Sequence, residues 1–177
     1  RLSEFVDGEA MVDLGYFAPP VMRSFGSFAA ASVLALADLT HPGLERVHQW
    51  DMRQAFREIE KLLPSITDPV LRQRVHDASV GAEAVLNPLA STLPVQAIHG
   101  DLTDDNVMGE RGTDSRLHPH IVLDLGDLAL GWRVAELAVC VSSMLHHEPG
   151  RPLVTLATVT AFHQDAPLNA AEARAVW

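Results

Sequence analysis

Apolar positions recur at helical spacing along most of this chain, and the recurrence breaks in one place. From Phe25 to Leu39 the apolar and alanine density predicts a buried helix, ended by His41-Pro42-Gly43. Met52, Ala55, Phe56, Ile59, Leu62 and Leu63 fall on one face of a second helix, with Arg53, Arg57, Glu58, Glu60 and Lys61 opposite and Asp51 as its N-cap. Asp68 caps a third, with Pro69 at the favoured first position and a pattern running to about Leu89 through Gly81 and Pro88. Arg133 to His147 and Pro152 to His163 predict two more helices. Asn169 caps a last one that starts at Ala170 and stops at Trp177 after barely two turns. Residues 1 to 24, broken by Gly8, Gly15 and Pro19-Pro20, predict a short strand or connector and a turn-rich entry.

The break lies between the third and fourth helices. Leu93 to Ile98 and Ile121 to Leu125 are short apolar runs bounded by turn residues, as buried strands are. Gly109 to His120 between them is polar, carries Gly112 and Pro119, and predicts a hairpin or loop. The expected fold is therefore mainly α with a small β insert (α+β), in one domain over residues 1–177.

Composition narrows the function classes. Hydrophobic residues make up 47% and charged residues 20%, the profile of a folded globular chain. A net charge of -10 argues against nucleic acid or an anionic membrane as partner, since both require a basic face, and it permits a cationic substrate. No apolar run approaches the roughly 18 residues that span a bilayer, and the N-terminus lacks the pattern of a signal peptide. Cys140 is the only cysteine, so no internal disulfide forms and a reducing cytoplasm is the expected location. Lys61 is the only lysine among 13 basic residues, so chemistry that needs a lysine must use it or borrow one.

The insert carries the chemistry. "AIHGDLTDDNVM" places His99, Asp101, Asp104, Asp105 and Asn106 within eight residues, and "IVLDLGD" brings Asp124 and Asp127 at the end of the second apolar run. Carboxylates this close repel one another unless a cation or a tight turn offsets them. A loop carboxylate can accept a proton from a hydroxyl, and an amide oxygen with a second carboxylate can hold Mg²⁺. Phosphoryl transfer needs that combination. The plain alternative for Asp101, Asn106 and Asp124 is a solvated turn with helix caps, and Asp104 and Asp105 are expected to form turns rather than bind metal. Asp127 fits a second metal, the substrate or a loop cap.

"HGDLTDDN" resembles the H-G-D-x-x-x-x-N catalytic loop of the aminoglycoside phosphotransferase and choline kinase family, and "VLDLGD" resembles its metal-binding segment. These proteins are relatives of protein kinases that phosphorylate small molecules with ATP and Mg²⁺. The resemblance implies that Asp101 receives the substrate hydroxyl proton, that Asn106 and Asp124 hold the metal, and that His99 steadies the loop. In "GWRVAELAV" it implies that Glu136 anchors loop amides, the alternative being a surface helix residue. Leu125 departs from the usual aromatic, which bears on packing more than on metal binding. Trp50-Asp51 is similar to the hydroxylysine kinase-like branch, some of whose bacterial members are fused to aminotransferase domains; an N-cap beside a packed indole accounts for the same pair.

What the resemblance covers is the C-terminal lobe. No glycine-rich phosphate loop precedes the catalytic motif, and Lys61 lies on an amphipathic helix, the wrong context for the strand lysine of a kinase. With its non-methionine start, the chain is expected to be a C-terminal lobe cut from a longer kinase, weakly active or inactive alone, the alternative being a natural remnant. The expected function is phosphorylation of a small-molecule hydroxyl, on an amino alcohol, hydroxylated amine or aminoglycoside-like acceptor. Two other classes stay open: a non-catalytic interaction domain built on a kinase lobe, and a metal-dependent hydrolase using His118, His120 and Asp124. His146-His147 is expected to complement a helix dipole, and Cys140 to be a buried, inert thiol.

Overall fold

The computed structural model describes residues 5, 7–148 and 150–176, so the predicted end of the last helix at Trp177 lies outside the described residues. The described residues form six α-helices and five short strands joined in several places by 3₁₀ turns, with four of the strands lying between the third and fourth helices. Strand β1 (Glu9–Ala10) leads through a 3₁₀ turn to helix α1 (Pro19–Ala35). This helix begins six residues before the predicted Phe25 and ends before Leu39. Pro19 and Pro20 open it rather than interrupt it, because proline's missing N–H costs nothing in the first turn.

Val21, Met22, Phe25, Ala29, Ala30 and Val33 form one buried stripe of α1. The stripe packs against helix α4 (Arg133–Leu145), through residues that include Leu137, Cys140 and Met144, and against helix α5 (Leu156–Asp165) at Ala161 and Phe162. Gly26 lets α1 and α5 meet. A Cβ there would stand 2.1 Å from the carbonyl oxygen of Thr158 and 3.0 Å from Ala161 Cβ. The Thr158 hydroxyl uses the same close approach to donate 2.9 Å to the Met22 carbonyl, so neither buried group is left unpaired.

Helix α2 (Ala55–Leu62) follows a 3₁₀ turn capped by Asp51, and helix α3 (Pro69–Leu86) is capped by Asp68, whose carboxylate accepts from the amides of Val70 and Leu71. Neither helix buries a residue fully. They pack chiefly on each other, and α3 also touches helix α6 (Ala170–Ala175). Asn169 and Glu172 form a capping box at the start of α6. The Glu172 carboxylate is fully buried and also takes Arg133 at 2.8 and 2.6 Å, which ties α6 to the first turn of α4.

The insert is two small antiparallel sheets. Strands β3 (Val107–Arg111) and β4 (Leu117–Val122) form the predicted hairpin, extended by β1 on the β3 edge. Strand β2 (Val95–Ile98) pairs with β5 (Ala129–Trp132), a strand the sequence pattern hides because its apolar run continues into α4. The predicted strand over Ile121–Leu125 is corrected: only Ile121 and Val122 belong to β4. Asp124 turns out of extended backbone at φ 48°, and Leu125–Asp127 close a 3₁₀ turn. Among the described residues no helix is long and apolar enough to cross a membrane.

Gly26→Ala forces the α1–α5 contact apart, and overpacking of this kind costs about 1–3 kcal/mol. Thermal unfolding of the variant is expected to show a midpoint lowered by several degrees; an unchanged midpoint would mean that the contact is looser than the structure shows.

Candidate functional site

The strand β2 delivers His99 to Asn106 as a loop whose backbone is held from three directions. Gly100 sits at φ +82°, a left-handed conformation only glycine takes without strain, and a Cβ there would stand 3.2 Å from the Asp127 carbonyl oxygen. Glu136, in the first turn of α4, is fully buried. Its Oε2 accepts from the Gly100 amide at 3.0 Å, and its Oε1 from the His99 amide at 3.3 Å and the Ser32 hydroxyl at 2.9 Å. Burial pushes the Glu136 carboxyl above the ordinary glutamate range, against the lowering effect of those hydrogen bonds and of His99.

His99 is buried too, and both ring nitrogens are used. Nδ1 accepts from the Asp101 amide at 3.3 Å, which fixes the hydrogen on Nε2, and Nε2–H donates 2.8 Å to the Leu123 carbonyl. One imidazole thus bridges the loop to the segment that ends in Asp124. A second bridge runs from the Leu123 amide to the Asn106 carbonyl at 2.8 Å.

Asn106 donates its side-chain amide to the Asp101 carboxylate at 2.7 Å and to the Asp101 carbonyl at 3.0 Å. The opposite amide orientation would set oxygen against two oxygens, so this one is fixed, and it leaves Oδ1 without a protein partner among the described residues. Asp124 is exposed, in left-handed backbone, with Oδ1 accepting the Gly126 amide at 2.9 Å and Oδ2 without a protein partner among the described residues. Asp101, Asn106 and Asp124 are therefore held by one hydrogen-bonded frame, and the oxygens they leave free are hard donors of the kind that Mg²⁺ takes. Asp105 is exposed and accepts the Thr103 hydroxyl; the Asp127 side chain has no protein partner among the described residues.

Four residues have roles that the pattern did not reveal. Asp104, expected as a turn former, does lie in a 3₁₀ turn but is buried: its carboxylate accepts from the Ser143 hydroxyl and from His147 Nε2–H at 2.7 Å. His147 therefore serves the loop, not only the end of α4. Arg46 donates to the carbonyls of Gly126 and, at 3.2 Å, Leu128, and Arg53 donates to that of Leu130 at 2.7 Å while paired with Asp51. Burial works to raise the Asp51 carboxyl, but hydrogen bonds and charge from Arg53 outweigh it and hold it below the usual range. Backbone-directed arginines carry no sequence signature, since their partners are carbonyls that any residue supplies.

His118 is engaged elsewhere, with Nδ1 2.6 Å from the Ser24 hydroxyl and Nε2 3.0 Å from Asp114, and His120 lies 3.7 Å from Glu110. Among the described residues no three His, Cys, Asp or Glu side chains converge as a metal site, so the set His118, His120 and Asp124 is not assembled. Cys140 is buried, and desolvation raises its thiol far above the usual range. Beside Asp101 a cleft of 530 Å³ opens, lined in part by Asp104, Asp105, Ser142, His146 and His147.

The raised Glu136 carboxyl has a signed consequence. Its native state binds the proton more tightly than the unfolded chain does, so the stability linked to Glu136 is full below the unfolded value of 4.5 and declines as pH rises to the raised native value. Glu136→Gln removes that slope together with one of the two oxygens that anchor the loop amides. The stability advantage of the unsubstituted chain over the variant is expected to shrink as pH climbs from 4.5, measured by denaturant unfolding at each pH; an advantage that grew would contradict the assignment.

Residues 2–172 match the model of the phosphotransferase enzyme family, APH. No curated protein gives a significant sequence match. Among solved structures, the aminoglycoside phosphotransferase APH(3'')-Id from Streptomyces rimosus ATCC10970, in complex with ADP and streptomycin, is similar with a TM-score of 0.61 at 15% identity, over 96% of this chain and 65% of that one. A microcompartment-associated aminopropanol kinase gives 0.55 at 16% identity, over 88% of this chain and 49% of that one. An aminoglycoside-3'-phosphotransferase of type VIII gives 0.56 at 16% identity, over 98% and 65%. At these identities the structures establish a shared phosphotransferase fold, and the chain spans less than two thirds of their length. With all but its last residues and its first matched by one family model, the chain belongs to the phosphotransferase enzyme family, APH.

Proposed function

We propose that this chain is the catalytic, C-terminal lobe of an ATP- and Mg²⁺-dependent kinase that phosphorylates a hydroxyl group of a small molecule. The observation that carries the reading is the Asn106 side chain bound to Asp101 by both its carboxylate and its carbonyl, with the Leu123 amide on the Asn106 carbonyl drawing the Asp124 segment alongside. In this reading Asp101 orients the acceptor hydroxyl and takes its proton as the phosphoryl group arrives. Asn106 Oδ1 and the Asp124 carboxylate would hold Mg²⁺, which when bound neutralises charge on the nucleotide phosphates. His99 and Glu136 keep the loop in register, and excluding motion here matters because catalysis of this kind is largely positioning.

In this reading the acceptor takes the cleft beside Asp101. Asp105 on its wall and the net charge of -10 favour a cationic molecule, an amino alcohol, hydroxylated amine or aminoglycoside-like compound. The named relatives, one bound to streptomycin and one an aminopropanol kinase, support that class. A β-rich N-terminal lobe, supplied by the rest of a longer chain and in one version accompanied by a fused aminotransferase domain, would complete the nucleotide site, and a cytoplasmic setting supplies the ATP.

Two measurements test this. Mg²⁺ with ATP is expected to raise the melting temperature of the chain, and Asp124→Asn to abolish the rise, because only a ligand of the native state stabilises it. With the N-terminal lobe present, Asp101→Asn is expected to lower kcat by about 10²–10⁴-fold with little change in stability. Full activity in that variant would remove Asp101 from the chemistry, and no nucleotide effect even with both lobes present would favour a non-catalytic domain.

A further inference from the structure

We infer that Arg46 is a positioning residue for the Asp124 turn, setting the geometry in which that carboxylate meets a metal ion; this rests on the functional reading above. Asp124 lies at φ 48° and ψ 75°, and non-glycine residues keep such backbone only where the surroundings over-determine it. Packing does not supply the constraint, because Leu123, Asp124, Leu125 and Gly126 are all exposed. Hydrogen bonds must.

Within the turn the restraints are the Asp124 Oδ1 bond to the Gly126 amide at 2.9 Å and a long Leu128 amide to Leu125 carbonyl bond of 3.4 Å. From outside, His99 and Asn106 hold Leu123 on the near side of Asp124, and on its far side Arg46 grips the carbonyls of Gly126 and Leu128. Gly126 is thus held at its N–H by Asp124 and at its carbonyl by Arg46, which restrains Oδ1 and leaves Oδ2 without a protein partner among the described residues.

The grip is part of a ladder. The carbonyls of residues 126, 128 and 130 are taken in turn by Arg46, Arg46 and Arg53, while β5 is paired on its other side to β2. The arginines stand where a third strand would otherwise satisfy those carbonyls, and charge-assisted bonds make them strong substitutes. Arg53 is itself fixed by Asp51 at 2.7 to 3.1 Å. Arg46 makes no ion pair among the described residues, so its contacts here go to the turn alone.

A guanidinium near a cation site also repels the cation, so the two effects have opposite signs and can be separated. Mn²⁺, titrated into the chain and followed by the loss of its free EPR signal, is the probe, with melting temperature as the control. Arg46→Met is expected to weaken Mn²⁺ binding about tenfold, as loss of a group supporting a metal ligand does, and Arg46→Lys to recover part of the loss. The melting temperature should move by no more than about 2 °C, since Arg46 is exposed. Unchanged or tighter Mn²⁺ binding in Arg46→Met would overturn the inference while leaving the kinase reading intact. A melting temperature lowered by more than about 5 °C would overturn it also, by making Arg46 a general structural support. Absence of Mn²⁺ binding to the unsubstituted chain would overturn the inference and the metal role of Asp124 together.

Discussion

The Glu136 carboxylate has lost all contact with water and recovers its hydrogen bonds from the amides of His99 and Gly100 and the hydroxyl of Ser32. Burying a carboxylate is unfavourable, and here the raised proton affinity records the part of the cost that the donors do not offset. The alternative is worse. Without an acceptor, two amides at the mouth of a left-handed turn would be buried unpaired, and each such group costs about 1–3 kcal/mol. Because Glu136 stands on α4 and Ser32 on α1, the apolar packing of those helices sets where the loop can lie. Core and chemistry are coupled through one side chain.

From that anchor the rest of the site is built by exchange of backbone bonds. His99 passes the constraint to Leu123, and Leu123 returns it to Asn106 as a continuation of the β3–β4 ladder, so the segments at the two feet of the hairpin become one unit. Asp104 adds a second anchor, fastening the middle of the loop to Ser143 and His147 at the far end of the same helix. Helix α4 therefore holds the start and the middle of the loop, its first turn through Glu136 and its last through Ser143 and the residues beyond. Leu102 packs into the core from the same loop, and Asp101 and Asp105 line the cleft.

The sequence made some of this legible and hid the rest for physical reasons. Helix caps at Asp51, Asp68 and Asn169 were readable because capping is a local bond between a side chain and an amide two or three residues on. The hairpin was readable from its turn residues, and the loop from His99 to Asn106 from motif spacing. The start of α1 was misplaced because a proline pair signals a turn and a first helical turn equally well. The strand over Ile121–Leu125 failed at Asp124, whose left-handed backbone reflects restraints from Gly126 and the loop that no run of apolar residues encodes. Arg46, Arg53 and the pairing of Asp104 with His147 were invisible for a related reason: each bond joins residues whose types are common and whose separation in sequence is large.

Charge balance around the site follows the same division. Asp51, Asp104, Glu136 and Glu172 each have partners inside the protein, and each is buried. Asp101 has one side-chain amide, while Asp105, Asp124 and Asp127 have a hydroxyl, a backbone amide and nothing, and no cationic side chain of the described residues forms a salt bridge with any of the four. The nearby guanidiniums of Arg46 and Arg53 reach carbonyls and Asp51 instead. A bound cation would supply the compensating charge that no salt bridge among the described residues gives these carboxylates. A chain selected for stability alone would have turned an arginine toward them. That the arginines secure the backbone and leave the carboxylates bare agrees with the proposed kinase reading, in which the compensating charge arrives with a ligand.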